Sequence, residues 1–391
     1  MIKKILLTSF TAIVGIALIS GFYSSAKKQY SERVEIVNES EPNIMEWAQV
    51  DVNTGEFNPM SRLQAKSMIN QRASRAGEIG LEFAMRGPDN VGGRTRAIIE
   101  LIGKPDTLYS GGVSGGLWVS YNGGGNWQPH NQFNNLDSSS AMISSIHQDT
   151  VNKKIYVGTG CSFDAFANTA RVPWPGYGMY VSEDEGLTFQ HLSSTAPDNR
   201  YAESGESWIA VNRIRTTLEG HIYAATERGL MYSEDGGISW ENPVYTDPNQ
   251  TFNVNDKCAD VAITKSGKVI VSYYGGRVFI KDDANSEFVF SNVPTGLQAS
   301  GTRTCLAISP TDADYIYVMF IDGSACLSAI YRSTNGGVSF SKILEPHDDF
   351  TPMGQNGRCQ GVYDAAIGVS ATDPGTLFIG GITLWRFDGS L

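Results

Sequence analysis

Ser233-Glu234-Asp235-Gly236-Gly237-Ile238-Ser239-Trp240 is the stretch on which the reading of this 391-residue chain turns. Written as Ser-x-Asp-x-Gly-x-x-Trp, it recurs. Ser120, Asn122, Gly124 and Trp127 fill the same frame, as do Ser182, Asp184, Gly186 and Phe189, and again Ser333, Asn335, Gly337 and Phe340. A worn copy, Lys281, Asp283, Asn285 and Phe288, lies between them. The frames begin at 120, 182, 233, 281 and 333, so the steps are 62, 51, 48 and 52 residues. A turn signature recurring at such even spacing marks a repeat architecture. Each residue type has a reason to be there. Asp or Asn caps the backbone of its own turn two residues on, Gly takes a positive φ, and the aromatic ring opens the next strand and packs between neighbouring units.

Outward from these turns, each unit parses as four short strands. The first unit has 97–101, 107–110, 116–120 and 126–128, and the second 141–147, 154–158, 178–182 and 188–192. The third has 208–214, 221–225, 229–233 and 239–245, and the fourth 259–264, 268–274, 277–281 and 287–293. The fifth has 304–309, 315–320, 329–333 and 339–344, and a sixth begins with 363–369, 376–380 and 383–386. Four short antiparallel strands per repeat is a β-propeller blade, so the expected fold is an all-β propeller with about six blades visible over 81–391. The sixth unit lacks its fourth strand. Leu81-Glu82-Phe83-Ala84-Met85 alternates as a half-buried strand does, so two arrangements stay open: a six-bladed ring completed by these residues, or a larger ring or second propeller of which this chain is the front part.

The segment before the repeats differs in kind. Residues 1–26 read as a secretory signal peptide, with Lys3 and Lys4, an apolar run over 5–19, and Ser24-Ser25-Ala26 for cleavage. An uncleaved membrane anchor is the other reading, against which the run is short for a span. Residues 27–80 read as a linker or leader: polar and acidic to 57, then a short helix from Pro59 to Gly77 with Met60, Leu63, Met68, Ile69 and Ala73 roughly on one side. The expected location is therefore secreted or cell-surface, with no transmembrane span in the mature chain. The net charge of −11 comes without a basic stripe, which excludes nucleic acid as a partner class. The five cysteines, Cys161, Cys258, Cys305, Cys326 and Cys359, contain no CxxC pair, and the five histidines no metal-ligand spacing, so neither a metal nor a cofactor is expected.

The frame resembles the Asp-box, or BNR repeat, of sialidase-like and sortilin-like β-propellers. Gly87-Pro88-Asp89-Asn90-Val91-Gly92-Gly93-Arg94-Thr95-Arg96-Ala97 and Tyr109-Ser110-Gly111-Gly112-Val113-Ser114-Gly115-Gly116-Leu117-Trp118 resemble the opening of large secreted BNR propellers of the Bacteroidetes type. Tyr156-Val157-Gly158-Thr159-Gly160, Gly361-Val362-Tyr363-Asp364 and Gly380-Gly381-Ile382-Thr383-Leu384-Trp385 fit too, although Cys161 stands where those proteins usually carry Glu. That resemblance implies further modules and a type IX secretion signal after the propeller, neither of which reads in these residues. It also implies that boxes lie on one face and functional loops on the other. On this parse the functional loops are 128–140, 159–177, 193–207, 246–258, 294–303, 321–328 and 345–362, and all five cysteines fall in or beside them. Pairings such as Cys326 with Cys359 or Cys161 with Cys258 fit these positions, but connectivity does not follow from sequence.

Candidate ligand-binding residues on that face are Arg94 and the aromatics Trp174, Tyr177, Tyr201 and Tyr363, the rings being suited to stacking a sugar or peptide. Burial as plugs of the ring is the competing use of such aromatics. Tyr201 beside Glu203 resembles the nucleophile and base of a sialidase, but no Phe-Arg-Ile-Pro and no trio of arginines reads in the sequence; Arg94 and Arg96 read instead as a structural ion pair at the ring closure. Glu203, Glu206 and Asp364 are the acids named for a hydrolase, with Asp256 and Asp260 also available. Paired-carboxylate hydrolysis needs two acids about 5 to 9.5 Å apart, which sequence does not give. The expectation is a binding or interaction module for glycan or protein, with a glycoside hydrolase of the sialidase or xyloglucanase kind as the alternative.

Overall fold

Each repeat folds into a small antiparallel sheet because its apolar residues alternate along runs of about five residues between glycine-rich turns. The computed structural model describes residues 94–136, 142–163, 172, 175–198, 206–246, 253–282, 288–290, 302–347, 350–354 and 358–389. Blade 1 is β1 (Thr95–Leu101), β2 (Lys104–Gly112), β3 (Gly116–Ser120) and β4 (Gln128–Pro129), followed by a single helical turn, α1 (Asn131–Asn134). Blade 2 is β5 (Ile143–Gln148), β6 (Ile155–Thr159), β7 (Met179–Ser182) and β8 (Gln190–His191). Blade 3 has β9 (Val211–Thr216), β10 (Ile222–Thr226) and β11 (Gly229–Ser233). β12 (Tyr245–Thr246) then joins blade 4, made of β13 (Cys258–Ile263), β14 (Val269–Tyr273), β15 (Val278–Lys281) and β16 (Phe288–Phe290). Blade 5 is β17 (Arg303–Ile308), β18 (Tyr315–Ile321), β19 (Leu327–Thr334) and β20 (Ser341–Leu344). After α2 (Gly361–Asp364), blade 6 has β21 (Ala366–Val369), β22 (Leu377–Gly380) and β23 (Leu384–Phe387).

The first strands line the axis: β1 packs on β5, β5 on β9, β9 on β13, β13 on β17, and β17 on β21. β6, β10 and β14 are buried at every residue, as strands covered on both faces must be. The fold is a β-propeller, seen here through six blades.

The repeated turn is built the same way four times. Ser120, Ser182, Ser233 and Ser333 are buried. Each Oγ accepts the backbone N–H of the box glycine, at 2.9, 2.7, 2.8 and 2.8 Å, and bonds the neighbouring Asn or Asp Oδ1 at 3.0, 2.8, 2.8 and 2.9 Å. That Oδ1 then accepts the backbone N–H four residues on, at Asn126, Thr188, Ser239 and Ser339. The expected cap two residues on is thus corrected: the serine holds the glycine, and the acid or amide reaches the strand beyond. Gly124, Gly186, Gly237 and Gly337 sit at φ +88, +90, +94 and +90°, where any side chain is strained.

Several expected boundaries move. The first strand of blade 3 starts at Val211, because Ser207–Ile209 forms a helical turn. Among the described residues blade 3 has no fourth strand; Tyr232 and Glu241 make a single bridge, and Tyr245–Thr246 pairs in parallel with Phe288 and Val289 of blade 4. Tyr363 lies in α2 rather than in a strand. The signal peptide, the leader with its helix, 81–85, and Asp283 and Asn285 of the worn box lie outside the described residues. Among the described residues no helix is long and apolar enough to cross a membrane.

Candidate functional site

In a four-stranded antiparallel blade the start of the first strand and the turn between the second and third strands share one end, and the third-to-fourth turn lies at the other. The box turns are of the latter kind. At the opposite end a small cavity of about 30 Å³ opens on the axis, lined by Arg96, Ser144, Cys161, Phe163, Asn212, Arg213, Ala259, Asp260, Arg303 and Cys305. These are residues from the beginnings of β1, β5, β9, β13 and β17, plus the turn after β6. A cavity of this size has room for a water or a small polar group and not for a sugar ring.

Asp260 organises it. Its side chain is buried; Oδ1 accepts from Arg213 Nε at 2.9 Å and from Val261 N at 2.9 Å, and Oδ2 accepts from Leu306 N at 3.0 Å. One carboxylate thereby ties the inner strands of blades 3, 4 and 5. Arg96 reaches across the axis: its Nη1 donates to Tyr363 O at 2.5 Å, and its Nη2 donates to Phe163 O and lies 2.9 Å from Cys161 Sγ. Arg303 donates to Val362 O at 3.1 Å and lies 5.6 Å over the Phe163 ring. Burial holds the Arg303 pKa below the ordinary guanidinium value, and Arg96 and Arg213 push the same way. Arg215, one layer down β9, falls to about 10, through burial first and Arg213 second. Arg213 is instead raised, by Asp260. The cavity wall therefore carries three guanidiniums, which repel one another, against one carboxylate whose two oxygens both already accept hydrogen bonds.

Asp364 stands beside this cluster. Its Oδ1 is buried without a hydrogen-bond partner. Burial raises its pKa, and Arg303 and Arg96 only partly offset that. Near the same end, Glu227 pairs with Lys257 at 3.4 Å, its pKa raised by burial against the pull of Lys257. Lys257 lies 5.4 Å from the centre of the Phe163 ring, so two cations, Lys257 and Arg303, stand within 6 Å of it. Burial raises the Cys258 and Cys305 thiols, which makes them poor nucleophiles. Cys161, Cys258 and Cys305 are free and buried, and Cys326 is bonded to Cys359 with Cα atoms 4.9 Å apart. Of the two pairings that fitted the sequence, the second does not form.

The residues named from sequence scatter. Tyr363 is tied to the cavity wall through its carbonyl, held by Arg96, and has Arg94 5.0 Å over its ring. The Arg96 contacts in the cavity are to carbonyls and a sulfur rather than the ion pair expected of it. Tyr177 stacks on His191 with centroids 4.4 Å apart and packs against the blade 1–2 core, off the cavity wall. Glu206 precedes the Ser207–Ile209 turn without capping it. Asp256 meets Arg277 at 3.5 Å. Trp174, Tyr201 and Glu203 lie outside the described residues. What sequence reading missed is the arginine trio. Its signal was available in the frame of the repeats, since Arg96, Arg213 and Arg303 each fall within the first three residues of an inner strand.

No family model matches the chain, and no curated protein matches it. Solved structures do. An ancestral GH74 enzyme is 15% identical with a TM-score of 0.51, over 75% of this chain and 36% of that one. The GH74 enzyme of Niastella koreensis is 14% identical with a TM-score of 0.52, over 75% and 45%. A structure of YCF48 bound to D1 peptide is 16% identical with a TM-score of 0.44, over 78% and 80%. At these identities the likeness is one of fold. The chain spans 36% and 45% of the length of the two GH74 enzymes.

Proposed function

We propose that this chain is an Asp-box propeller, exported to the cell surface or beyond, that binds a glycan or protein through the face opposite its boxes, with an acidic group of the ligand drawn to the axial arginines. The observation that carries this reading is the charge imbalance of the axial cavity: Arg96, Arg213 and Arg303 face one carboxylate, Asp260, whose oxygens are all in use. A low-dielectric pocket with unbalanced positive charge focuses its field on an approaching anion. The cavity admits the carboxylate end of a ligand, while the body of the ligand lies on the surrounding loops, where Tyr363 is held by Arg96 with Arg94 over its ring and Trp174 and Tyr201 are the further aromatics named for contact.

The alternative is a glycoside hydrolase of the xyloglucanase or sialidase kind. The GH74 likeness supports it at the level of fold, and fold does not carry chemistry. Such an enzyme needs two free carboxyl groups flanking a cleft. Asp260 is committed to Arg213 and two N–H groups, so the acids left for that role are Asp364, Glu206 and Glu203.

A glycan array, a panel of acidic peptides and a glycosidase screen on the purified chain separate the two. Binding of an acidic ligand that weakens about tenfold or more in Arg303→Met, without sugar release, is the expected result. Sugar release abolished by Glu203→Gln, Glu206→Gln or Asp364→Asn would overturn it. Binding unchanged in Trp174→Ala and Tyr201→Ala would remove those two aromatics from the site.

A further inference from the structure

The axial cavity carries a charge that the described residues around it do not balance. Its wall sets the positive Arg96, Arg213 and Arg303 against the negative Asp260. The two cysteines on that wall do not make up the difference. Cys161 donates its S–H to Phe163 O at 3.0 Å and so stands as a neutral thiol, and burial raises the Cys305 thiol. The groups packed around the wall do not make it up either. Arg215, one layer down β9, is a further cation, and Glu227 is matched by Lys257. His147 faces Arg215 and Arg213 and is held neutral by burial first and by those two arginines second. Asp364 is the other acid on which Arg303 and Arg96 act, yet its Oδ1 is buried without a hydrogen-bond partner. Even with Asp364 ionised, positive charge stays in excess.

Hydrogen bonding and size point the same way. A guanidinium carries five N–H donors. Among the described residues Arg303 donates one hydrogen bond, to Val362 O, and Arg213 donates through Nε to Asp260. Their other N–H groups have no hydrogen-bond partner there, although both side chains line the cavity. Buried charge without a partner is destabilising. The downward pull on the Arg303 pKa, from burial first and from Arg96 and Arg213 as well, has the same origin. The room inside is about 30 Å³, enough for a water or an ion little larger than one. Phe163 and Ala259 supply apolar wall, which suits an anion that gives up its hydration readily. A tetrahedral oxyanion is too large for this space, and a cation is repelled from it.

We propose that the axial cavity is a halide site that holds one chloride ion between Arg96, Arg213 and Arg303. This deepens the reading above and rests on the same three arginines. Chloride is the counter-ion of the site when no ligand is bound, and the acidic group of a ligand takes its place, so the two compete. The ion also has a structural part. The three arginines come from β1, β9 and β17, the innermost strands of alternate blades. An anion among them replaces a mutual repulsion by three attractions to one centre. Binding to the folded state alone stabilises it by mass action, so an occupied site raises the melting temperature as halide is added and then saturates.

Melting of the full-length chain in sodium chloride, sodium bromide and sodium gluconate at equal ionic strength tests this, gluconate being too large for the cavity. The quantity read is the melting temperature in halide minus that in gluconate. It is expected to be greater by about 3 °C or more in the unaltered chain than in Arg303→Met, which cancels the general effects of each salt. Equal values in the two proteins overturn the proposal. A crystal of the unaltered chain soaked in bromide decides the matter even where Arg303→Met does not fold. An anomalous peak among the three arginines supports the site, and peaks confined to the outer surface mean an adventitious ion only and overturn it. The two readings also fail separately. An acidic peptide or glycan that binds through Arg303 in a chain without the halide effect overturns the chloride site alone. A halide effect lost in Arg303→Met, from a chain that binds no acidic ligand, upholds the site and overturns the reading above.

Discussion

Replacing Asp260 by Asn removes a charge that Arg213 and two backbone N–H groups share. Breaking one partner of a buried pair costs about 3–5 kcal/mol, so Asp260→Asn should lower the urea midpoint sharply, and the loss should exceed that of Asp256→Asn, whose partner Arg277 is half-exposed at 3.5 Å. His147 gives the pH dependence. Its Nε2 accepts the Thr216 N–H at 3.1 Å, and burial, with Arg215 and Arg213 nearby, lowers its pKa to about 3. A histidine kept neutral in the fold but free to protonate when unfolded contributes stability above pH about 6.5, and that stability drains away as pH falls toward 3. Unfolding followed from pH 7 to 4 should therefore show an acid limb that His147→Gln flattens. Neither role was legible in the sequence. An aspartate or histidine inside an apolar strand reads the same whether it bonds three donors or none, because its partners come from strands tens of residues away.

The box turn was legible, and at this scale the sequence carries nearly all the information. Serine, acid or amide, and glycine all act within five residues, so their chemistry is written locally. Two outcomes follow. Ser233→Ala strands the Gly237 N–H, which Ser233 Oγ accepts at 2.8 Å, and should cost about 1–3 kcal/mol in chemical denaturation. Gly186→Ala should cost more than Gly236→Ala. Both have positive φ, but a Cβ at Gly186 runs into the Tyr109 ring of the preceding blade, whereas one at Gly236 meets nothing within 4 Å. The strain alone costs about 1 kcal/mol, and the collision adds to it only at Gly186. The fourth strand of blade 3 was the element the pattern misjudged. Residues 239–245 alternate well enough for a strand, yet Tyr245 finds its partners in Tyr273 and Phe279 of blade 4, and a contact of that reach overrides local propensity.

At the scale of the molecule the repeats foretold a propeller, and its end faces are the part they left unsaid. A repeat array defines every interface except its first and last. The Cys326–Cys359 bond strengthens the last of these junctions: it fastens the β18–β19 turn of blade 5 to the loop leading into blade 6, closing 33 residues. By loop-closure entropy it contributes about 3–4 kcal/mol. Cys326→Ser should lower the melting temperature, and hydrogen exchange should show blade 6 loosening before blades 2 to 4. The three remaining thiols bear on how the protein must be made. Cys161, Cys258 and Cys305 belong to the innermost strands or the turns feeding them, and the finished fold leaves each of them buried. An oxidant that arrives after the ring has formed finds Cys326 and Cys359 alone. One that arrives earlier finds five thiols on an open chain and makes bonds that the axis has no room for. The timing of oxidation relative to ring assembly, rather than the strength of the oxidant, therefore sets how much of the chain ends up native.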